Sequence, residues 1–434
     1  MPLDQSASEE TDPSKGAPRA SLESRLFDTR QLSRKIASPL SDEDQVVQAM
    51  DDASPTKWHL AHTTWFFETF VLRQFDDEYR IYDERFPYCF NSYYEAVGAR
   101  HPRSNRGLLT RPSNAEVRAY REHVDSGLKS FIARKDNDLP GKAAELIELG
   151  VHHEQQHQEL MLTDILNLFS KQPLEPAYRE ADPAIVAAPA PALNWIAFKG
   201  GIVEIGHDGE GFAFDNEGPR HEVLLRPFKL ANRCVTNGEW LEFIADGGYQ
   251  NAPIWLADGW ATVQAEDWRA PLYWEEIEGE WRQMGLYGLQ PLDLGAPVCN
   301  VSYFEADAFA RWSGKRLPSE FEWEVASAGV ALKGRTLGHD ALRPLPAEAN
   351  GQGSLLQMIG DVWEWTQSPY APYPGFQIAD GAVGEYNGKF MCNQYVLKGG
   401  SCATPDGQIR RTYRNFFYPH QRWQFTGLRL ADDD

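Results

Sequence analysis

The chain has 434 residues, 63 acidic against 42 basic, a formal net charge of −21 and five dispersed cysteines. That charge disfavours nucleic acid or an anionic membrane surface as a partner and suits a small or cationic ligand; an odd cysteine count without a CxxC pair argues against a disulfide scaffold or a thiolate zinc site. No apolar run approaches the roughly 18 residues of a membrane span, and the first twenty residues lack the basic-then-apolar pattern of a signal peptide, so a soluble, cytoplasmic protein of two or more domains is expected.

Residues 1–20 are polar and acidic and read as a disordered tail. From residue 21 to 181 the dominant period is helical. A first helix is expected near Leu22 to Ile36. Ser54 and Pro55 supply a capping residue and a first-turn proline for a long run from Trp58 to Phe75, and Ser113 with Glu116 forms a capping box for another. Pro140 opens the longest run, which ends near Phe169. The stretch from Phe75 to Arg111, crowded with Pro, Gly, Asn and Tyr, is expected to be a non-helical loop, and loops of that length inside a compact domain usually serve function. Residues 182–192 form a stiff Pro/Ala connector. From 193 to 434 short apolar strands alternate with turns, and helices are expected near Asn237–Ala245, Tyr303–Trp312 and Ser319–Ala328. The overall expectation is a multi-domain chain, an α bundle followed by an α+β domain.

His153 and His157 lie four apart in the longest helix, where residues four apart share a face and two imidazoles can reach one metal. The His-Glu-x-x-His spacing also matches the signature of zinc peptidases, in which Glu154 would act as general base. His62, on a second helix of the bundle and flanked by bulky apolar residues, completes a facial set of three histidines with open coordination positions. Imidazole ligands suit iron, copper or zinc, so ligand type does not choose among them. His59 and His152 fall off the face that carries the three and are expected to support the site from outside or to lie at the surface.

With these residues assembled, the helical half resembles the DinB-like four-helix bundle of the ergothioneine-pathway sulfoxide synthases, which carry a HxxxHxE element, here His153, His157 and Glu159. The second half resembles the formylglycine-generating-enzyme (sulfatase-modifying factor) fold, a C-type-lectin-like domain. Its marks are the segments Val235–Trp240, Lys315–Trp323, Gly360–Trp365, Gly399–Ser401 and Gly427–Arg429. Most of these are expected to be structural, with Trp323, Trp363 and Trp365 as core anchors and Gly360 and Gly399 serving turns. A formylglycine-generating enzyme needs a close cysteine pair after the Gly-Gly-Ser motif, whereas this segment holds Cys402 alone. That activity is therefore not expected.

The resemblance implies Fe(II) held by His62, His153 and His157. It implies a dioxygen-dependent C–S bond between imidazole C2 of hercynine (N-α-trimethylhistidine) and a thiol, with sulfoxidation. It assigns Gln156 and Asn415, with Phe416 alongside, to hercynine, and the loop arginines Arg103 and Arg106 to the carboxylate of the thiol substrate, which a planar guanidinium binds through both oxygens. The trimethylammonium group donates no hydrogen bond and calls for aromatic faces and acceptor oxygens. Family members use a tyrosine as proton donor; Tyr93 and Tyr94, on the loop with the arginines, are the first candidates, and Tyr370 and Tyr373 the alternatives. Some relatives carry an acidic residue two positions after the asparagine to bind γ-glutamylcysteine. Phe417 stands there, which favours cysteine over γ-glutamylcysteine as sulfur donor. The competing readings are a zinc hydrolase using Glu154 and a non-catalytic lectin-like binding protein.

Overall fold

A computed structural model describes residues 21–92, 94, 97–135, 139–180, 188–348, 354–378, 384 and 387–433. The expected tail, residues 182–187 of the connector, and Tyr93 lie outside these described residues.

Four long helices make the N-terminal bundle. Helix α1 (Leu22–Ala37) is capped by Ser21, whose hydroxyl accepts from the Ser24 amide. Helix α2 (Thr56–Phe67) is buried at every position, as befits a central helix with neighbours on all sides. It continues through a π-helical turn, Glu68–Leu72, into Arg73–Phe75. The expected capping role of Ser54 is not realised. Its amide donates to the Asp164 carboxylate and its hydroxyl accepts from Arg106, so both groups are committed elsewhere and the helix starts after Pro55. The 75–111 segment is not wholly non-helical: it contains helix α3 (Phe86–Phe90) and a 3-10 turn (Arg103–Leu108). Packing of Phe86 and Phe90 against Tyr120 outweighs the turn-rich composition there. Helix α4 (Asn114–Arg134) has the Ser113/Glu116 capping box, and α5 (Gly141–Phe169) runs 29 residues and packs against α1 and α2.

The C-terminal half is strand-rich, with β1 (Trp195–Phe198), β2 (Gly201–Ile205), β3 (His221–Leu225), β4 (Phe228–Ala231), β5 (Trp274–Ile277), β6 (Glu280–Gly285), β7 (Gly288–Pro291), β8 (Trp363–Pro369), β9 (Tyr395–Lys398), β10 (Asn415–Phe417), β11 (Thr426–Gly427) and β12 (Ala431–Asp433). The sheet that concerns the site has the order β10-β9-β8-β11, with β11 parallel to β8. Helices α6 (Asn237–Ala245), α8 (Tyr303–Trp312) and α9 (Glu320–Ser327) lie where expected, and each begins at a Ser/Thr–Glu capping box. Helix α7 (Ala257–Glu266) lacks such a cap and was not anticipated. Its Gly259 packs so closely on Phe304 that a Cβ would lie 3.0 Å from that side chain.

Trp323, Trp363 and Trp365 are all buried, as expected of core anchors. Gly360 has φ +81°, and a Cβ there would meet the Arg335 carbonyl oxygen at 2.4 Å, so no other residue fits that turn. Helix α5 forms the seam between the halves: Asn167 donates to the Tyr273 hydroxyl, the His152 ring stacks 3.9 Å from Phe212, and buried Glu159 accepts from Trp363, Ser401 and Thr404. No helix among the described residues is long and apolar enough to cross a membrane.

Candidate metal centre

Helices α2 and α5 pack so that His62, His153 and His157, all buried, each place one ring nitrogen within 4.8 Å of the other two. Among the described residues this is the group of potential ligands close enough to share one ion. The helical period builds the surroundings of His62. Trp58, four residues earlier, stacks on its ring at 4.6 Å, and the Trp65 ring, three residues later, lies nearly parallel to it at 5.5 Å. Two indoles thus pack against this imidazole and restrict its orientation.

Burial pushes the pKa of His62 and His157 well below the ordinary imidazole value and that of His153 down to about 4, with neighbouring imidazoles adding to the effect for His62 and His157. The rings are therefore neutral at physiological pH, the form that binds metal. The Nδ1 of His62 is 2.6 Å from the Phe90 carbonyl oxygen, which can only accept. The proton is therefore on Nδ1, leaving Nε2 with a bare lone pair, and that atom is 3.2 Å from Nε2 of His153. His157 uses Nδ1 in a 2.8 Å contact with Nδ1 of His59, which leaves its Nε2 for the centre. Convergent, neutral, partly pre-oriented imidazoles in a buried setting fit a divalent transition metal.

Glu154 does not fit the hydrolase reading. It projects to another side of α5, where its fully buried carboxylate accepts from Arg30, Arg121 and Ser33, and the two guanidinium groups hold its pKa down at about 2. A general base must reach water at the metal; this carboxylate is consumed by a buried ion cluster that also includes Asp125.

Two cavities lie along this part of α5, and of the three histidines only His153 lines either, bordering the first. The first, about 600 Å3, is bordered by His153, Phe66, Tyr94 and Phe212. The second, about 210 Å3, lies between the halves and is bordered by Gln156, Asn415, Phe416 and Arg103, so four of the residues singled out in the sequence face one space. Phe214 and Asn387 border both. The Gln156 amide donates to the Tyr413 hydroxyl at 2.7 Å, and the Asn415 side-chain oxygen accepts from the Phe416 amide. Phe416 stacks on Tyr370 at 4.1 Å. Arg103 donates to the Asp52 carbonyl. Arg106 is placed differently: it is buried, donates to Ser54 and Ser92, and lies 3.4 Å over the Trp58 ring, on the stack that holds His62. Tyr94 is buried beside Trp65 and Phe70. Of the alternative tyrosines, Tyr370 stands behind the second cavity, its hydroxyl accepting from the lining residue Asn216, while the Tyr373 hydroxyl donates to Glu320.

Comparison with known proteins decides the lineage. Over 96% of its length the chain is 34% identical to a hercynine oxygenase from Mycolicibacterium thermoresistibile, covering 95% of that protein. The chain belongs to the hercynine oxygenase family. A second hercynine oxygenase, from Mycobacterium tuberculosis, is 35% identical over 88% of this chain and 91% of its own. The two halves of this oxygenase-family chain match separate family models: the DinB superfamily at residues 25–161, and the sulfatase-modifying factor enzyme 1-like domain at 183–344 and 333–434. A formylglycine-generating enzyme from Streptomyces coelicolor is 28% identical over 58% of this chain and 93% of its own length. In the present chain Cys402 is buried and its thiol pKa is raised well above the ordinary value by burial, so that it does not offer a reactive thiolate.

Two participants escaped sequence reasoning, the Phe90 carbonyl and Asp164. The Phe90 carbonyl is a backbone group and leaves no residue-type signal. Of the two histidines expected either to support the site or to lie at the surface, both are buried, and His59 touches His157 directly. Asp164 lies seven residues after His157, two turns along the same helix face, a spacing that could have marked it.

Proposed function

We propose that this protein is an iron(II)- and dioxygen-dependent sulfoxide synthase of ergothioneine biosynthesis, joining imidazole C2 of hercynine to the sulfur of cysteine. The observation that carries the reading is the convergence of three neutral imidazoles on α2 and α5, with Gln156, the neighbour of His157 in sequence, bordering an inter-domain cavity together with Asn415, Phe416 and Arg103. His62, His153 and His157 would hold the iron, which when bound supplies the redox chemistry that activates dioxygen and lets both substrates share one centre.

The chain's own residues do the rest. Gln156 and Asn415 offer amide oxygens and nitrogens to hercynine, while Phe416 and Phe214 present aromatic surface suited to a trimethylammonium group. Arg103 faces the same space and supplies a guanidinium for the carboxylate of the thiol substrate. Arg106 acts from behind, its stack on Trp58 stiffening the packing against His62 rather than meeting substrate. Tyr94 holds a phenolic proton in the pocket that also contains His153, and it is the donor for sulfoxidation. Phe417 puts a ring where an acidic residue would be needed for a γ-glutamyl amino group, which favours cysteine. The acidic surface and this small-molecule chemistry suit a cytoplasmic enzyme.

The test is reconstitution of the anaerobically purified chain with Fe(II), followed by oxygen uptake with hercynine plus cysteine and mass analysis of the product. One equivalent of iron and a hercynine-cysteine sulfoxide are expected, with both lost in His62→Ala. Zinc as the retained metal, or turnover unaffected by that substitution, would overturn the assignment.

A further inference from the structure

As the Phe90 carbonyl orients His62, a chain of side chains outside the trio orients His157. Its Nδ1 lies 2.8 Å from Nδ1 of His59; Nε2 of His59 lies 3.0 Å from Oδ2 of Asp164; the same oxygen takes the Ser54 amide at 2.8 Å. The other carboxylate oxygen, Oδ1, faces the indole N–H of Trp423 at 3.3 Å. His59, His157 and Asp164 are buried, and Trp423 is 6% exposed.

Donor and acceptor counting assigns every proton along this line. A carboxylate can only accept, so Nε2 of His59 carries a hydrogen. A neutral imidazole has one N–H, so Nδ1 of His59 is an acceptor. The 2.8 Å contact is then a bond donated by Nδ1–H of His157, and Nε2 of His157 is left bare. A carboxylate at the far end thus fixes the tautomer of a ring two links away. Trp423 borders the inter-domain cavity, so the outer end of the line is a wall of that cavity.

We infer that Asp164 and His59 are positioning residues for the metal centre, holding His157 in the ligand tautomer, and that Trp423 carries this support across from the C-terminal half. The inference rests on the metal-centre reading above. It predicts that metal affinity, measured without substrate, depends on residues that touch no metal. Loss of such an outer partner costs about 10–100-fold in affinity.

The test titrates the metal-free full-length chain with Co(II), following the visible d–d absorption, and compares the thermal stability of the metal-free forms. His59→Phe and Asp164→Asn are expected to weaken Co(II) binding about 10–100-fold and to shift the band. His59→Gln should restore most of the affinity, because its carboxamide accepts from His157 and donates to Asp164. Trp423→Phe should give a smaller loss in the same direction. Asp164→Asn keeps the volume and carries the test if His59→Phe does not fold. A purely structural role would lower metal-free stability and leave Co(II) affinity and spectrum unchanged, and that outcome overturns the inference. His62→Ala separates the two levels. If it binds Co(II) like the parent, the metal-centre reading itself fails; if it loses Co(II) while His59 and Asp164 variants bind normally, only the positioning roles fail.

Discussion

The indole N–H of Trp363 donates to Oε1 of Glu159 at 2.8 Å, joining the strand β8 of one half to the helix of the other that carries His153 and His157. Ser401 and Thr404 complete the carboxylate's partners, so three donors from the C-terminal half converge on one bundle residue. Unmade hydrogen bonds of buried groups cost about 1–3 kcal/mol each. Trp363→Phe should therefore lower stability by about 1–2 kcal/mol, whereas Glu159→Leu, which strands all three donors, should cost at least about 3 kcal/mol. Urea unfolding measures both, and equal losses would contradict the shared-acceptor picture.

Glu154 should behave as a structural anion. Removing one partner from a buried ion cluster costs about 3–5 kcal/mol because opposing charge is left uncompensated. Glu154→Gln leaves Arg30 and Arg121 in that position. Stability should drop by that amount while turnover per bound metal in the folded fraction stays close to the parent value. A rate loss of several hundredfold at full metal loading would restore Glu154 as a base.

Tyr94→Phe removes the phenolic proton but keeps the ring against Trp65 and Phe70. Product is expected to shift from sulfoxide toward oxidised thiol. Tyr93→Phe is the companion variant. Unchanged partition in both would remove this loop from the chemistry.

The proposed preference for cysteine should be transferable. Phe417 is half-buried at the inter-domain cavity, and Phe417→Asp places a carboxylate where a γ-glutamyl amino group would need one. A gain of about tenfold in relative kcat/KM for γ-glutamylcysteine, worth about 1.4 kcal/mol, is expected. No movement of that ratio would mean that thiol choice is made elsewhere.

Stability should carry a pH signature from Asp361. Burial raises its pKa from 3.8 to about 6 despite Arg335 nearby. A carboxyl whose folded pKa is raised contributes nothing below its unfolded value, and it costs stability as pH climbs between the two values. The penalty is about 3 kcal/mol above pH ~6. Asp361 has φ +57°, which asparagine tolerates. The stability of Asp361→Asn relative to the parent should therefore improve between pH ~4 and ~6 and level off above. A difference that moves the other way would show that the ionised carboxylate is favoured by its surroundings.

Legibility followed the range of the interaction. The bundle helices, the capping boxes at Ser113, Thr236, Ser302 and Ser319, and the His153/His157 pair rest on spacing within a few turns; His62, 91 residues before His153, could be added only because it stands among bulky apolar residues on a second helix. Helix α7 and the start of α2 were not legible, because close packing on Phe304 and the claims of Asp164 and Arg106 on Ser54 are tertiary. The same holds within the site. Arg103 and Arg106 are three residues apart and look alike in sequence, yet one borders the cavity and the other is spent stacking on Trp58. Only the fold distinguishes them.

Phe214 and Asn387 border both cavities. A guest that displaces either side chain from one compartment thereby alters the wall of the other. Reciprocity then requires that whatever the first guest does to the affinity of the second, the second does equally to the first.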